Sequence, residues 1–424
     1  MLTPRPGDGD PVTGSPGERA SGTWPAENNP AGFADAWPGL KRIPGHPAAY
    51  VGRGSAERLG DALAQLHVKR LLVVHGRTSY ERSGAHRFIT ALSGRHEVEH
   101  FDGVQPNPGI EQIRAGITTM RRFGPEAVIG IGGGSSLDVA KAIAVLAEQR
   151  RSPEDCLRHP EVITEVRRCA LVLMPTTAGS GSEMTQFATV YVEGRKRSLD
   201  VDQARADLAL IDQDLTESLP LGDSVSTGLD ALAQSIESYW SVAATPASQT
   251  LALDALGRLL PALALAADTG VFSDPRVRTE LAHGASLAGA AINISRTTAA
   301  HALSYDLTLR LGLAHGTAVA LHLPWLLERH ARLTDPDCRH PQGSAAVRDA
   351  VADIENIAHT QAGRGVRQLT EQLLALAGRP TGIEQLALPA DRWLAPMTAA
   401  LASGRAANNP CVLTVADLLP LLTE

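Results

Sequence analysis

The chain has 424 residues, 43% apolar and only 4% aromatic, so it is long enough for two or three domains around a large buried core. Its 39 basic and 46 acidic side chains leave a net charge of −7 with no basic block, which argues against nucleic-acid or membrane-surface partners. The four cysteines, Cys156, Cys169, Cys338 and Cys411, follow no paired spacing and read as free thiols in a reducing cytoplasm. No apolar run reaches roughly 18 residues and no basic-then-apolar leader opens the chain, so a soluble, cytoplasmic protein is expected.

Residues 1–38 are dense in Pro, Gly, Ser and acid, a composition that buries too little surface to offset ordering entropy, and are expected to form a disordered tail. From residue 39 strand and helix signals alternate. RLLVVHG (70–76) is a short β-branched run and RSGAHRFITALSG after it has helical texture; HEVEHFDGV reads as a strand and GIEQIRAGITTMRRF as a helix. EAVIGIGGG is a strong strand running into the helix SSLDVAKAIAVLAEQ, followed by the strands CALVLMPTT and DLALIDQDL. Such alternation predicts parallel strands joined by crossover helices over 39–216. Beyond Pro220 the strand signals stop, and 217–424 reads as an all-helical half rich in Ala and Leu. A cleft between two such halves is a common ligand position.

Three stretches carry chemistry. VIGIGGGSSLDVAKA (128–142) takes a buried-type strand through Gly132, Gly133 and Gly134 into a helix starting near Ser135. Consecutive glycines let backbone approach a pyrophosphate, and the free amides of a helix start favour anionic oxygen. PTTAGSGSEMT (175–185) packs five hydroxyl side chains and two glycines into eleven residues after another strand, a composition suited to ribose and phosphate oxygens. Two such loops at successive strand ends point to a dinucleotide across the edge of a parallel sheet.

The third stretch, TGLDALAQSIESYW (227–240), sets Asp230 and Gln234 four apart on one helix face. Downstream, HALSYDLTLRLGLAHG carries His301 and His315. On one continuous helix these imidazoles would stand roughly 21 Å apart, at about 1.5 Å of rise per residue, too far for a shared ion. Gly312 offers a break at which the chain can turn back. Two oxygen and two nitrogen donors would then suit Fe(II), Zn(II), Mn(II) or Ni(II).

The ordered set GGGSxxDxxK, PTTAGxGSE, GxDAxxxxxE and H-x13-H resembles the iron-containing (group III) alcohol dehydrogenase family, from about residue 45 to the C-terminus; FDGVQPNP, LIDQDLTESLP and RAANNPCVLT agree with it. The resemblance implies an N-terminal Rossmann-like α/β domain and an all-α C-terminal domain, with NAD(P)H and a divalent metal, Fe(II) before Zn(II), in the cleft between them. It implies a pyrophosphate loop of Gly132, Gly133, Gly134 and Ser135 with Asp138 and Lys141 on its helix, a second cofactor loop of Thr176, Thr177, Gly179 and Ser182, and metal ligands Asp230, His301 and His315. It also implies a small aldehyde or alcohol as substrate and a homo-oligomer, commonly a dimer.

Three positions depart from the family pattern. Gln234 replaces a ligand histidine, and Tyr305 replaces a histidine beside the nicotinamide, leaving a phenol as the candidate proton relay. Gly76 stands where an acid often binds the adenosine ribose, and Arg77 follows it, which is compatible with a 2′-phosphate and hence NADPH. SEMTQFATVYVEGRKRSLD and NISRTTAAHALSYDLT most resemble the phosphonoacetaldehyde reductase branch. A phosphonate needs cationic anchors; Lys196, one of only four lysines, and Arg296 are the candidates. The same fold would also serve a lyase of the dehydroquinate-synthase type, or a nucleotide-binding protein with a decayed site.

Overall fold

The computed structural model describes Trp37 and residues 39–423. The tail expected over 1–38 therefore lies outside the described residues except for Trp37, which is buried with its ring edge-on to Tyr50 at 5.1 Å.

Nine strands are present among the described residues: β1 (Lys41–Arg42), β2 (Ala49–Val51), β3 (Arg70–His75), β4 (Glu97–Phe101), β5 (Ala127–Gly132), β6 (Ala170–Pro175), β7 (Phe187–Val192), β8 (Arg195–Asp200) and β9 (Leu208–Ile211). Seven form one sheet in the order β1-β2-β9-β6-β5-β3-β4, parallel except at the β1–β2 edge, while β7 and β8 make a separate antiparallel hairpin. Between them run α1 (Leu59–Gln65), α2 (Arg77–Arg82), α3 (His86–Thr90), α4 (Ile110–Phe123), α5 (Gly134–Leu146) and α6 (Pro153–Arg158). The helical texture after β3 thus resolves into two short helices, α2 and α3, separated by Gly84 at φ 72°.

Strands buried on both faces read as unbroken apolar runs rather than alternations. Successive residues of β3 show why: Leu71 and Val73 face one cluster with α1, while Leu72 and Val74 face another with α4 and α5. Parallel pairing aligns the C-terminal ends of β3, β5 and β6 side by side, with Gly132 opposite Pro175.

After β9 all regular structure is helical: α7 (Leu221–Trp240), α8 (Pro246–Thr269), α9 (Pro275–Ser295), α10 (Ala299–Leu311), α11 (His315–Ala320), α12 (Leu323–Ala331), α13 (Gly343–Ala362), α14 (Val366–Leu376), α15 (Ala390–Leu401), α16 (Gly404–Ala407) and α17 (Val415–Leu418). By length and hydropathy α8 alone among the described residues would cross a membrane, but 61% of that stretch is buried here, packed against α7 and α9 in the helical core. Its start is fixed by a capping box in which Thr245 Oγ1 accepts from the Ser248 amide and Ser248 Oγ from the Thr245 amide.

Candidate active site

The glycine run behaves as its composition requires. Gly132 sits at φ 144°, a conformation that L side chains rarely adopt, and a Cβ on Gly134 would lie 2.8 Å from Ser180 Oγ. Helix α5 begins behind Gly133 with no side chain capping it, so its first amides face the crevice unclaimed. A cavity of about 810 Å³ opens there, lined by Gly76, Arg77, Asp102, Gly133 to Ser136, Thr176 and Thr177. It shares Gly133, Gly134, Ser135 and Thr177 with a second cavity of about 410 Å³, which runs on to Asp230, Gln234, His301 and His315.

The other expected loop residues divide by role. Thr176 Oγ1 is buried without a partner and Thr177 lines both cavities. Gly179 does not line the crevice; it lets the loop pack on α7, since a Cβ there would come within 2.6 Å of Thr227 Cβ. Asp138 accepts from Ser182 Oγ at 2.6 Å and from the Thr189 amide at 2.8 Å, joining α5, the loop and the hairpin. Lys141 lies beneath the same loop, donating to Ser182 Oγ, Thr185 Oγ1 and the Phe187 carbonyl, each at 3.0 Å. Burial pulls its ammonium down to about 8, against the opposing pull of Asp138 and Glu183. At the mouth, Arg77 is exposed and donates from Nε to Asp102 at 2.6 Å.

At the other end, Gly312 at φ 67° caps α10 and turns the chain back into α11, bringing His301 and His315 to 5.5 Å between ring centroids. Gly316 permits the approach: a Cβ there would sit 2.8 Å from the Ser226 carbonyl carbon, 2.9 Å from Asp230 Cβ, and nearer still to the Ser226 carbonyl oxygen. One donor atom each from Asp230, His301 and His315 lies within 4.8 Å of the others. Donors on one cation at about 2.0–2.2 Å stand up to roughly 4 Å apart, so only small side-chain adjustments separate this arrangement from coordination. Gln234 points the same way, with Nε2 on the Ser180 carbonyl at 3.3 Å and Oε1 buried without a partner. Two imidazoles, a carboxylate and an orphaned amide oxygen fit a divalent cation.

The two imidazoles stand in different charge states at neutral pH, and only His301 must release a proton to ligate a cation. Burial draws His315 down to about 3, leaving its lone pair free at neutral pH. Burial also opposes charge on His301, but Glu237 and Asp230 outweigh it and lift that ring to about 9. Glu237 is the residue whose role sequence reasoning missed. It is wholly buried, takes His301 Nδ1 on one oxygen, and accepts from Thr298 Oγ1 at 2.7 Å and the Ala300 amide at 2.8 Å on the other. It stands seven residues after Asp230 on the same face of α7, a spacing that held the signal.

Conserved sequence profiles agree with the geometry. The iron-containing alcohol dehydrogenase profile matches residues 47–213, and that of the C-terminal part of the Fe-containing alcohol dehydrogenase family matches 224–424. The chain belongs to the iron-containing alcohol dehydrogenase family. Among dehydrogenases of this family, long-chain-alcohol dehydrogenase 1 of Geobacillus thermodenitrificans is 33% identical over 68% of this chain and 73% of its own. Phosphonoacetaldehyde reductase of Streptomyces viridochromogenes is 34% identical over 57% of this chain and 63% of its own. The crystal structure of sulfoacetaldehyde reductase from Bifidobacterium kashiwanohense with NAD+ superposes at a TM-score of 0.71 and 26% identity, covering 88% of this chain and 94% of that one. The family implies NAD(H) and divalent-metal binding, in keeping with the two linked cavities.

The expected anchors fare differently. Lys196, opposite Tyr191 in the hairpin, points into the smaller cavity with Nζ 3.9 Å above the Tyr305 ring centroid. Arg296 does not line that cavity: Asp200 pairs with it at 2.8 Å and holds it on the far side of Phe187. Its charge is already neutralised, so the expectation of a free anchor there is corrected. Arg405, from α16, lines the cavity instead. Tyr305 stacks beside His315 at 6.2 Å, its hydroxyl buried. Burial pushes that phenol up, but Arg405, Lys196 and His301 outweigh it and hold it below its ordinary 10.

Proposed function

We propose that the protein reduces a small aldehyde to a primary alcohol with NADH or NADPH, and that the best candidate is phosphonoacetaldehyde, giving 2-hydroxyethylphosphonate. The observation that carries this reading is a single crevice with phosphate-binding amides at one end and converging Asp230, His301 and His315 at the other. Lys196 in the same cavity, with the likeness to a phosphonoacetaldehyde reductase and a sulfoacetaldehyde reductase, supports an anionic tail.

Asp230, His301, His315 and the Gln234 Oε1 atom would hold the cation, Fe(II) as the first choice and Zn(II) as the alternative. When bound, the cation polarises the carbonyl and the nicotinamide supplies the hydride. The chain's own residues do the rest. Glu237 fixes the His301 ring through Nδ1, so that Nε2 faces Asp230 at 3.2 Å. The crevice walls exclude water and hold the aldehyde against the cofactor. One proton from solvent completes the step, so that aldehyde, reduced cofactor and one proton become alcohol and oxidised cofactor; Tyr305, whose ring lies under Lys196 just outside the cavity lining, is the candidate relay. Arg77 beside Gly76 accepts a 2′-phosphate once it swings from Asp102, which admits NADPH as well as NADH.

The test is absorbance of the reduced nicotinamide in the presence of phosphonoacetaldehyde and an aldehyde panel, with added Fe(II) or Zn(II). Stoichiometric cofactor oxidation, lost in His301→Ala, is expected. Consumption of the aldehyde with no alcohol formed and no net cofactor oxidation would replace this reading with a lyase.

A further inference from the structure

The smaller cavity is lined by two basic side chains, Lys196 and Arg405, that form no salt bridge among the described residues. Neither Lys196 nor Arg405 has a carboxylate within 4.0 Å among the described residues, although 24 ion pairs are formed elsewhere in them. The carboxylates nearby bond elsewhere, Asp138 to Ser182 and the Thr189 amide and Asp230 to His301, and act on Lys196 only through space. Arg405 spends one nitrogen on Thr297 Oγ1 at 2.7 Å and leans on Phe187 with its carbon 5.7 Å from the ring centroid; its remaining donors have no partner among the described residues.

Nor is its placement accidental. Ser403 caps α16, and Asn408 donates to the Ser295 and Thr297 carbonyls at 2.8 and 3.1 Å while its own oxygen accepts from the Ala243 amide at 3.0 Å. A C-terminal segment is thereby stitched onto the ends of α7 and α9 with its guanidinium facing the cleft. Burial and the Arg405 charge hold the Lys196 ammonium below its ordinary range against the opposing pull of Tyr305 and Asp138, and neither cation has a paired carboxylate among the described residues.

We propose that Lys196 and Arg405 form a seat for the doubly charged tail of a short aldehyde, and that Arg405 is the residue selecting phosphonates over neutral aldehydes of the same size. This rests on the reductase reading above. A planar guanidinium offers two parallel donors to two phosphonate oxygens while the lysine supplies a point charge to the third. Both cations share the cavity of Asp230, His301 and His315, and about 410 Å³ leaves room for a short chain between carbonyl and tail.

The test uses the full-length, metal-loaded protein and its Arg405→Met and Arg405→Lys variants. Kinetics with phosphonoacetaldehyde and with propanal are compared, and binding of ethylphosphonate, which cannot react, is measured by calorimetry. In Arg405→Met the kcat/KM ratio of phosphonoacetaldehyde to propanal should fall about 30- to 1000-fold, chiefly through KM, with ethylphosphonate affinity falling in step; Arg405→Lys should recover part of both. An unchanged ratio, or a loss confined to the KM for the nicotinamide cofactor, overturns the proposal. If the wild type reduces propanal but neither reduces phosphonoacetaldehyde nor binds ethylphosphonate, the seat is refuted and the reductase stands. If Arg405-dependent ethylphosphonate binding occurs without turnover of any aldehyde, the seat stands and the reaction is refuted.

Discussion

Replacing Gly316 with alanine probes how the metal ligands are brought together. The added methyl would meet the Ser226 carbonyl carbon at 2.8 Å and Asp230 Cβ at 2.9 Å, and carbon atoms rest at about 3.5–4.0 Å, so α11 must retreat from α7 by about 1 Å. Both helices are fully packed here, and Thr317 also donates its amide to Ser226 Oγ at 3.2 Å, so the retreat carries His315 away from Asp230. Overpacking of this kind costs about 1–3 kcal/mol of stability, and a displacement of about 1 Å at a reacting centre costs on the order of 100-fold in rate. Gly316→Ala should therefore fold with a lowered melting temperature and bind Fe(II) or Zn(II) much more weakly in chelator competition, while NADH binding, which depends on the opposite end of the crevice, is retained. Metal affinity and turnover equal to the wild type would refute the close approach of α7 and α11 as the device that assembles the ligands.

Glu237→Gln keeps the size and the acceptor for Thr298 but removes the charge behind His301, and should weaken metal affinity about 10- to 100-fold by chelator competition; an unaltered affinity would reduce Glu237 to a structural role. The lowered Lys141 ammonium means that the unfolded chain binds more protons than the folded one between about 8 and 10.5, so this group's contribution to stability is lost as pH falls through that window and restored as it rises, by up to about 1.4 kcal/mol per pH unit. Urea unfolding of the wild type should show the gain relative to Lys141→Met between pH 8 and 10, and parallel pH profiles would contradict it. Asp102→Asn releases Arg77 and should shift kcat/KM several-fold toward NADPH; no shift would separate Arg77 from cofactor choice.

The features readable from sequence are those in which local chemistry leaves few alternatives. Gly132 to Gly134 after an apolar run and Gly312 between two histidines constrain the backbone directly, and an Asp–Gln pair four apart must share a helix face; the structure sets Asp230, Gln234, His301 and His315 around one cavity. Glu237 closes the GxDAxxxxxE motif seven residues after Asp230, but an acid on an amphipathic helix is ordinarily solvated, and only the fold shows that its face turns inward onto His301. Arg296 and Arg405 were decided by long-range packing: Asp200, 96 residues away in the chain, neutralises the first, and Asn408 delivers the second across a separation of more than a hundred residues. Charge pairing at such distances leaves no periodic trace in a single sequence.

The stitching of α16 onto the ends of α7 and α9 separates two decisions that one pocket usually takes together. The residues proposed to hold the cation are complete by α11, whereas Arg405, proposed to join Lys196 at the other end of the substrate, arrives only with α16. Exchanging α16 among relatives would redirect substrate choice while leaving Asp230, His301 and His315 in place.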